Sequence, residues 1–140
     1  MESIVQAKRV LEIFKEMSQI PRESGNEKGI SDYIVNFAKN LGLEVHQDDQ
    51  YNVVIKKPAS PGYENRPSII LQGHIDMVCV RDHDSNHDFS KDPIANIIEG
   101  EWMHADHTTL GADNGMGGAM MLAILEDDSQ QHGPMQLLFT

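Results

Sequence analysis

Two short apolar runs constrain this chain more than any other feature. Ser68-Ile69-Ile70-Leu71-Gln72 and Met135-Gln136-Leu137-Leu138-Phe139-Thr140 are too short for stable helices. Their near-continuous apolar character predicts strands buried on both faces. Between them a glycine-rich stretch, Gly111 to Gly118, leads into Ala119-Met120-Met121-Leu122-Ala123-Ile124-Leu125-Glu126, which predicts a buried helix.

The rest of the chain supplies elements to cover such strands. Val10, Ile13, Phe14 and Met17 recur at i, i+3, i+4 and i+7, one stripe of an amphipathic helix over residues 4–17 that Pro21 stops. Ser24-Gly25-Asn26-Glu27 has the spacing of a capping box. Ile30, Tyr33, Ile34, Phe37, Ala38 and Leu41 follow at helical spacing, and Gly42 is placed to end that helix in a left-handed turn. Leu43 to His46 alternates and Asn52 to Lys56 is β-branched, with the polar turn Asp48-Asp49-Gln50 between them, which predicts an antiparallel hairpin. Pro58, Pro61, Gly62 and Pro67 mark a loop, and residues 81–93 are polar and irregular. Ile97 to Met103 reads as a second hairpin turning at Glu99-Gly100.

Charge narrows the choice of partner. Lys and Arg number 11 against 22 Asp and Glu, a net charge of −11. This argues against nucleic acid, whose phosphates need clustered Lys and Arg. No apolar run approaches the ~20 residues that span a bilayer, so no membrane partner is expected. Met1 to Gln6 lacks the basic and apolar regions of a secretory signal. Cys79 is the single cysteine and permits no internal disulfide, which points to a reducing cytoplasm. The length suits one domain. However, the chain stops at Thr140 inside a predicted buried strand with no polar tail. The 140 residues are therefore expected to be the front part of a longer protein.

Three segments carry residues capable of chemistry. Gly73-His74-Ile75-Asp76 directly follows the first apolar run, where ligands bind in open α/β sheets. His74 and Asp76 are two apart, so on an extended segment they share a side. The imidazole offers a nitrogen to zinc and the carboxylate can orient it, although the pair alone also suits a hydrogen-bonded His beside a turn-forming Asp. In Gly111-Ala112-Asp113-Asn114-Gly115, the glycines permit unusual backbone angles and present Asp113 at a helix start. A phosphate loop would need Gly-Lys-Ser/Thr, which is absent, so a cation suits that carboxylate better, with a plain helix N-cap as the alternative. Asp82 to Asp88 has oxygen donors at every second position like an EF-hand, but His87 and Pro93 stand where Gly and Glu are required. It reads as a solvated loop. His46 and His104 read as hairpin surface or packing residues, and His132 as part of a turn. His107 is placed to line the same site as Asp113 or to point to solvent. Cys79 reads as an inert buried thiol. Neither a Gly-x-Ser-x-Gly elbow nor a dinucleotide fingerprint is present.

Taken in order, Leu71-Gln72-Gly73-His74-Ile75-Asp76-Met77-Val78, Thr108-Thr109-Leu110-Gly111-Ala112-Asp113-Asn114-Gly115 and Leu137-Leu138-Phe139-Thr140 resemble successive signatures of the aminoacylase/carboxypeptidase-type di-zinc metallopeptidases. The resemblance is strongest to their aminoacyl-histidine dipeptidase branch, and Asp32 to Val35, His87 to Ile94, Gly100 to Trp102 and His132 to Pro134 support it. It implies an α/β fold, a mixed twisted sheet with flanking helices. Residues 1–140 would be the N-terminal part of that catalytic domain, with an inserted lid domain absent from them. It implies that His74 ligates one of two Zn2+ ions, with Co2+ or Mn2+ as alternatives, and that Asp113 bridges both. Asp76 would be the catalytic-site carboxylate behind His74, fixing its tautomer. The Asp113–Asn114 peptide bond would be cis. The general-base Glu and a ligating Glu would lie just past Thr140, so these residues alone are expected to be inactive. The implied substrates are unblocked dipeptides, Xaa-His among them. A homodimer of the full-length protein is left open. One departure is His107, where relatives usually carry Gly.

Two other readings stand beside this one. A related aminoacylase or tripeptidase would use the same metal scaffold, although Thr108 to Asn114 and the His87 to Ile94 segment favour the dipeptidase branch. A non-catalytic acidic cation-binding module is weakened because His74, Asp76 and Asp113 are too few to close a site.

Overall fold

The computed structural model describes residues 2–140, with side chains from Gln6 onward. Met1, which opens the stretch read as lacking a secretory pattern, lies outside the described residues. Helix α1 spans Glu2–Ser18 and buries Ile13, Phe14 and Met17 completely, the stripe its periodicity marks. Helix α2, Lys28–Asn40, buries Ile30, Ile34 and Ala38. Gly42 follows it at φ +71°.

The predicted capping box does not form. Glu27 occupies the N-cap position of α2 without a side-chain cap, and its carboxylate accepts the Gly25 N–H at 2.6 Å. The Ser24 hydroxyl instead donates to the Asp76 carboxylate. A hydrogen bond to an ionised acceptor is stronger than one involving two neutral groups, and a distant carboxylate is invisible to local sequence spacing.

Strands β1 (Glu44–Gln47), β2 (Val53–Lys57), β3 (Ile69–Gly73) and β6 (Met135–Phe139) form one mixed sheet in the order β1-β2-β6-β3. The pairs β1–β2 and β2–β6 are antiparallel, and β3–β6 is parallel. The register sets Val53 opposite Phe139 and Ile55 opposite Leu137, so these four side chains share one face. That face packs on α1, α2 and α3 (Ala112–Glu126) in a single core. The short hairpin β4 (Ile97–Glu99) and β5 (Trp102–His104) confirms the second predicted turn.

Neither apolar run is buried on both faces. In β6 the residues alternate between buried and half-buried. Strand β3 is outermost and largely exposed, with Ile70 65% accessible. An apolar run reports hydrophobicity but not which faces are covered, and among the described residues β3 and one face of β6 keep apolar side chains accessible.

Helix α3 begins seven residues before its predicted start, because the glycine-rich stretch is itself helical. Asp113 and Asn114 depart from helical angles within it, and their shared peptide bond is cis, as the resemblance implied. The other end of α3 is held by Lys57, 5% exposed at the end of β2. Its ammonium donates to the carbonyls of Ile124 (2.8 Å), Leu125 (3.1 Å) and Asp127 (2.7 Å), which the helix itself cannot satisfy. Among the described residues no helix is long and apolar enough to cross a membrane.

Candidate metal centre

Two segments meet at the carboxyl end of the parallel β3–β6 pair. Beyond Gly73 and Phe139 the pairing continues: Thr140 N–H donates to the Gly73 carbonyl at 3.0 Å, and Ile75 N–H donates to the Thr140 carbonyl at 2.8 Å. His74 and Asp76 therefore leave the sheet on a backbone already fixed. The second segment is the kinked start of α3. The Asn114 side chain lodges between Gly73 and Gly117, since a Cβ on either glycine would collide with it. With Asn114 seated against Gly73, their chain neighbours Asp113 and His74 face one another.

The contacts form a relay across the site. The His74 ring places Nε2 3.2 Å from Asp113 Oδ1 and Nδ1 2.9 Å from Asp76 Oδ1, with the Asp76 carbonyl at 3.1 Å. Ser24 Oγ donates to the other Asp76 oxygen. Burial pulls the His74 pKa down, but the carboxylates of Asp76 and Asp113 outweigh it and the net shift is upward. The Ser24 hydroxyl, and then His74, hold Asp76 below its ordinary value. Asp113 is 97% exposed on its side chain, so its second oxygen is free to reach another group.

This donor set fits zinc. Two ligands about 2.05 Å from one tetrahedral Zn2+ stand about 3.3 Å apart, and His74 Nε2 and Asp113 Oδ1 are separated by 3.2 Å. Asp76 holds Nδ1, which directs the lone pair of the neutral ring to Nε2, the arrangement metal-binding histidines commonly use. A catalytic zinc takes about three protein ligands. Among the described residues no group of three or more His, Cys, Asp or Glu side chains is gathered for a metal, so His74 and Asp113 alone fall short of that ligand number.

Other candidates fall away from this point. His107 pairs with Asp82 at 2.7 Å, and its backbone sits at φ +55°, a left-handed conformation that glycine adopts without strain. His83 and Asp84 at the start of the 82–88 segment are fully exposed. Cys79 is half-buried and burial pushes its thiol pKa up, the opposite of a nucleophile. Three contributors carry no local sequence signal for these roles: Ser24 sits in a capping-box spacing, Asn114 lies in the glycine-rich motif beside Asp113, and Arg22 follows a helix-stopping proline.

No protein-family model matches the chain. Among curated proteins, the cytosol non-specific dipeptidase of Escherichia coli (strain K12) is 47% identical over 129 residues, which cover 92% of this chain and 27% of that protein. Among solved structures, aminoacylhistidine dipeptidase from Vibrio alginolyticus superposes with a TM-score of 0.91 at 45% identity, covering 94% of this chain and 27% of the other. A tripeptidase from Staphylococcus aureus superposes with a TM-score of 0.75 at 27% identity, covering 95% and 36%. The chain thus spans about a quarter of the length of the dipeptidases it matches.

Proposed function

We propose that this chain supplies part of the active site of a metal-dependent dipeptidase, a reading supported by its 47% and 45% identity to two dipeptidases over the stretch it shares with them. Residues 1–140 are, on this reading, the N-terminal part of the catalytic domain. The protein acts in the cytoplasm on unblocked dipeptides, Xaa-His among them. The observation that carries the proposal is the His74–Asp113 pair at ligand spacing, with Asp76 and Ser24 behind it.

In this proposal His74 Nε2 and Asp113 hold zinc, two ions per complete site, with Asp113 between them and Co2+ or Mn2+ able to substitute. A divalent ion there supplies Lewis acidity and lowers the pKa of water. Asp76 keeps the proton on Nδ1 and fixes the ring plane. Ser24 keeps Asp76 from turning away. The base that accepts the water's proton lies, on this reading, after Thr140. The likeness to a tripeptidase supports a second substrate class on the same scaffold, but at 27% against 45% identity it is the weaker guide.

The test uses the full-length protein with His74→Ala and Asp113→Ala. Each is expected to lower kcat/KM for a dipeptide by about 10²-fold or more, since removing even an outer partner of a metal ligand costs 10–100-fold. Full activity in either variant refutes the assignment. Comparing dipeptide, tripeptide and N-acyl amino acid hydrolysis decides the substrate class.

A further inference from the structure

Arg22 is 2% exposed, and its hydrogen-bond partners are backbone carbonyls. Nη1 donates to Ile75 O at 3.2 Å and to Asp76 O at 3.4 Å. Nη2 donates to Gly111 O at 2.7 Å. The first two carbonyls belong to the loop that carries His74 and Asp76. The third belongs to the turn that presents Asp113. The backbone beside Arg22 is tied to the same loop, because Met77 N–H donates to the Arg22 carbonyl at 2.9 Å and Glu23 bridges to Met77. Two residues further on, Ser24 reaches the Asp76 carboxylate. Residues 22–24 therefore form a strap across both halves of the site.

We propose that Arg22 is a positioning residue, whose guanidinium fork sets the distance between the His74 loop and the Asp113 turn so that the two ligands receive a divalent cation. The proposal rests on the metal-site reading above. Burying a cation carries a desolvation cost, and a second positive charge beside a cation site is electrostatically unfavourable. Arg22 is thus poorly placed to help by charge, which leaves its geometry. The planar fork spans carbonyls on two segments at once, which a point-charge ammonium does less well. The surroundings are cut to admit it: a Cβ on Gly111 would stand 2.7 Å from Nη2, and one on Gly115 2.6 Å from it. Both glycines of the motif thus make room for Arg22, together with Met77 at Gly111 and Phe14 at Gly115.

The experiment measures Zn2+ affinity by competition with a chromophoric chelator, and the melting midpoint of the metal-free form, in the full-length protein. Variants are Arg22→Met, Arg22→Lys, His74→Ala and, as a stability control, Lys57→Met, which removes the other buried cation at the far end of α3. Arg22→Met and Arg22→Lys are expected to weaken zinc binding about tenfold or more, as loss of an outer partner does. Lys57→Met is expected to lower the midpoint while leaving zinc affinity within about twofold, since it touches no ligand or ligand partner. Should neither Arg22 variant fold, Arg22→Gln, which keeps a shorter side-chain donor and removes the two-segment fork, is read in the same way. Zinc binding unchanged in the Arg22 variants but lost in His74→Ala overturns the positioning role alone. A wild-type protein that binds no zinc, or a His74→Ala variant that binds it equally well, overturns the metal-site reading and this proposal with it.

Discussion

Replacing Gly111 with alanine is expected to destabilise the fold for two separable reasons. Gly111 precedes α3 at φ +77°, ψ 23°. An L-residue held in that left-handed region costs about 1–2 kcal/mol. The new Cβ would also stand 2.7 Å from Arg22 Nη2 and 2.7 Å from Met77 Sδ. Both side chains are seated, at 2% and 3% exposure, so neither can move aside freely. Overpacking of this kind costs about 1–3 kcal/mol, giving roughly 2–5 kcal/mol in total by adding it to the backbone cost. Gly62 provides the control. Its φ is +86°, but a Cβ there meets nothing within 4 Å, so Gly62→Ala carries only the backbone cost of about 1–2 kcal/mol. Urea unfolding of the two variants, with unchanged slopes, isolates the close approach as their difference. A difference below about 0.5 kcal/mol would mean that overpacking is absent. The claim that Arg22 and Met77 are rigidly packed against Gly111 would then be wrong.

Two further outcomes are expected. In the metal-free protein the folded pKa of His74 lies above its ordinary value of 6.5, raised by Asp76 and Asp113 against the pull of burial. The stabilisation from the imidazolium is therefore fully present below the unfolded pKa and is lost as pH rises through the folded one. Stability should fall with rising pH across that window and His74→Ala should remove this component, while zinc affinity moves the opposite way because the metal needs the neutral ring. An identical pH slope in wild type and His74→Ala, followed by chemical unfolding, would contradict this. At His107, φ +55° predicts the stability order Gly at or above His, and His above Val by about 1–2 kcal/mol, because β-branched residues tolerate the left-handed region worst. Equal midpoints for His and Val would count against backbone strain there.

Much of this structure was legible because it is local. The stripe Val10, Ile13, Phe14, Met17 gave α1, the spacing of Ile30, Ile34 and Ala38 gave α2, and Glu99-Gly100 gave a hairpin. The ordered motifs around His74, Asp76 and Asp113 named the residues that converge. Partners far apart in sequence were missed. Ser24 follows a capping pattern, yet its hydroxyl finds a carboxylate 52 residues away. Arg22 carries no periodicity, yet spans 89 residues to Gly111.

By itself, then, the sequence determined which segments become helix or strand, because propensity and periodicity act within a few residues. It also determined which side chains are chemically able to bind a metal. Only the tertiary structure decided that, among the described residues, β3 lies outermost in its sheet beside β6 with Ile70 exposed. It also decided that His107 pairs with Asp82, while the Asn114 wedge and the Arg22 fork bring His74 to 3.2 Å from Asp113. Strand order and loop-to-loop distance are set by the sum of many long-range contacts, and no local window of residues contains that sum.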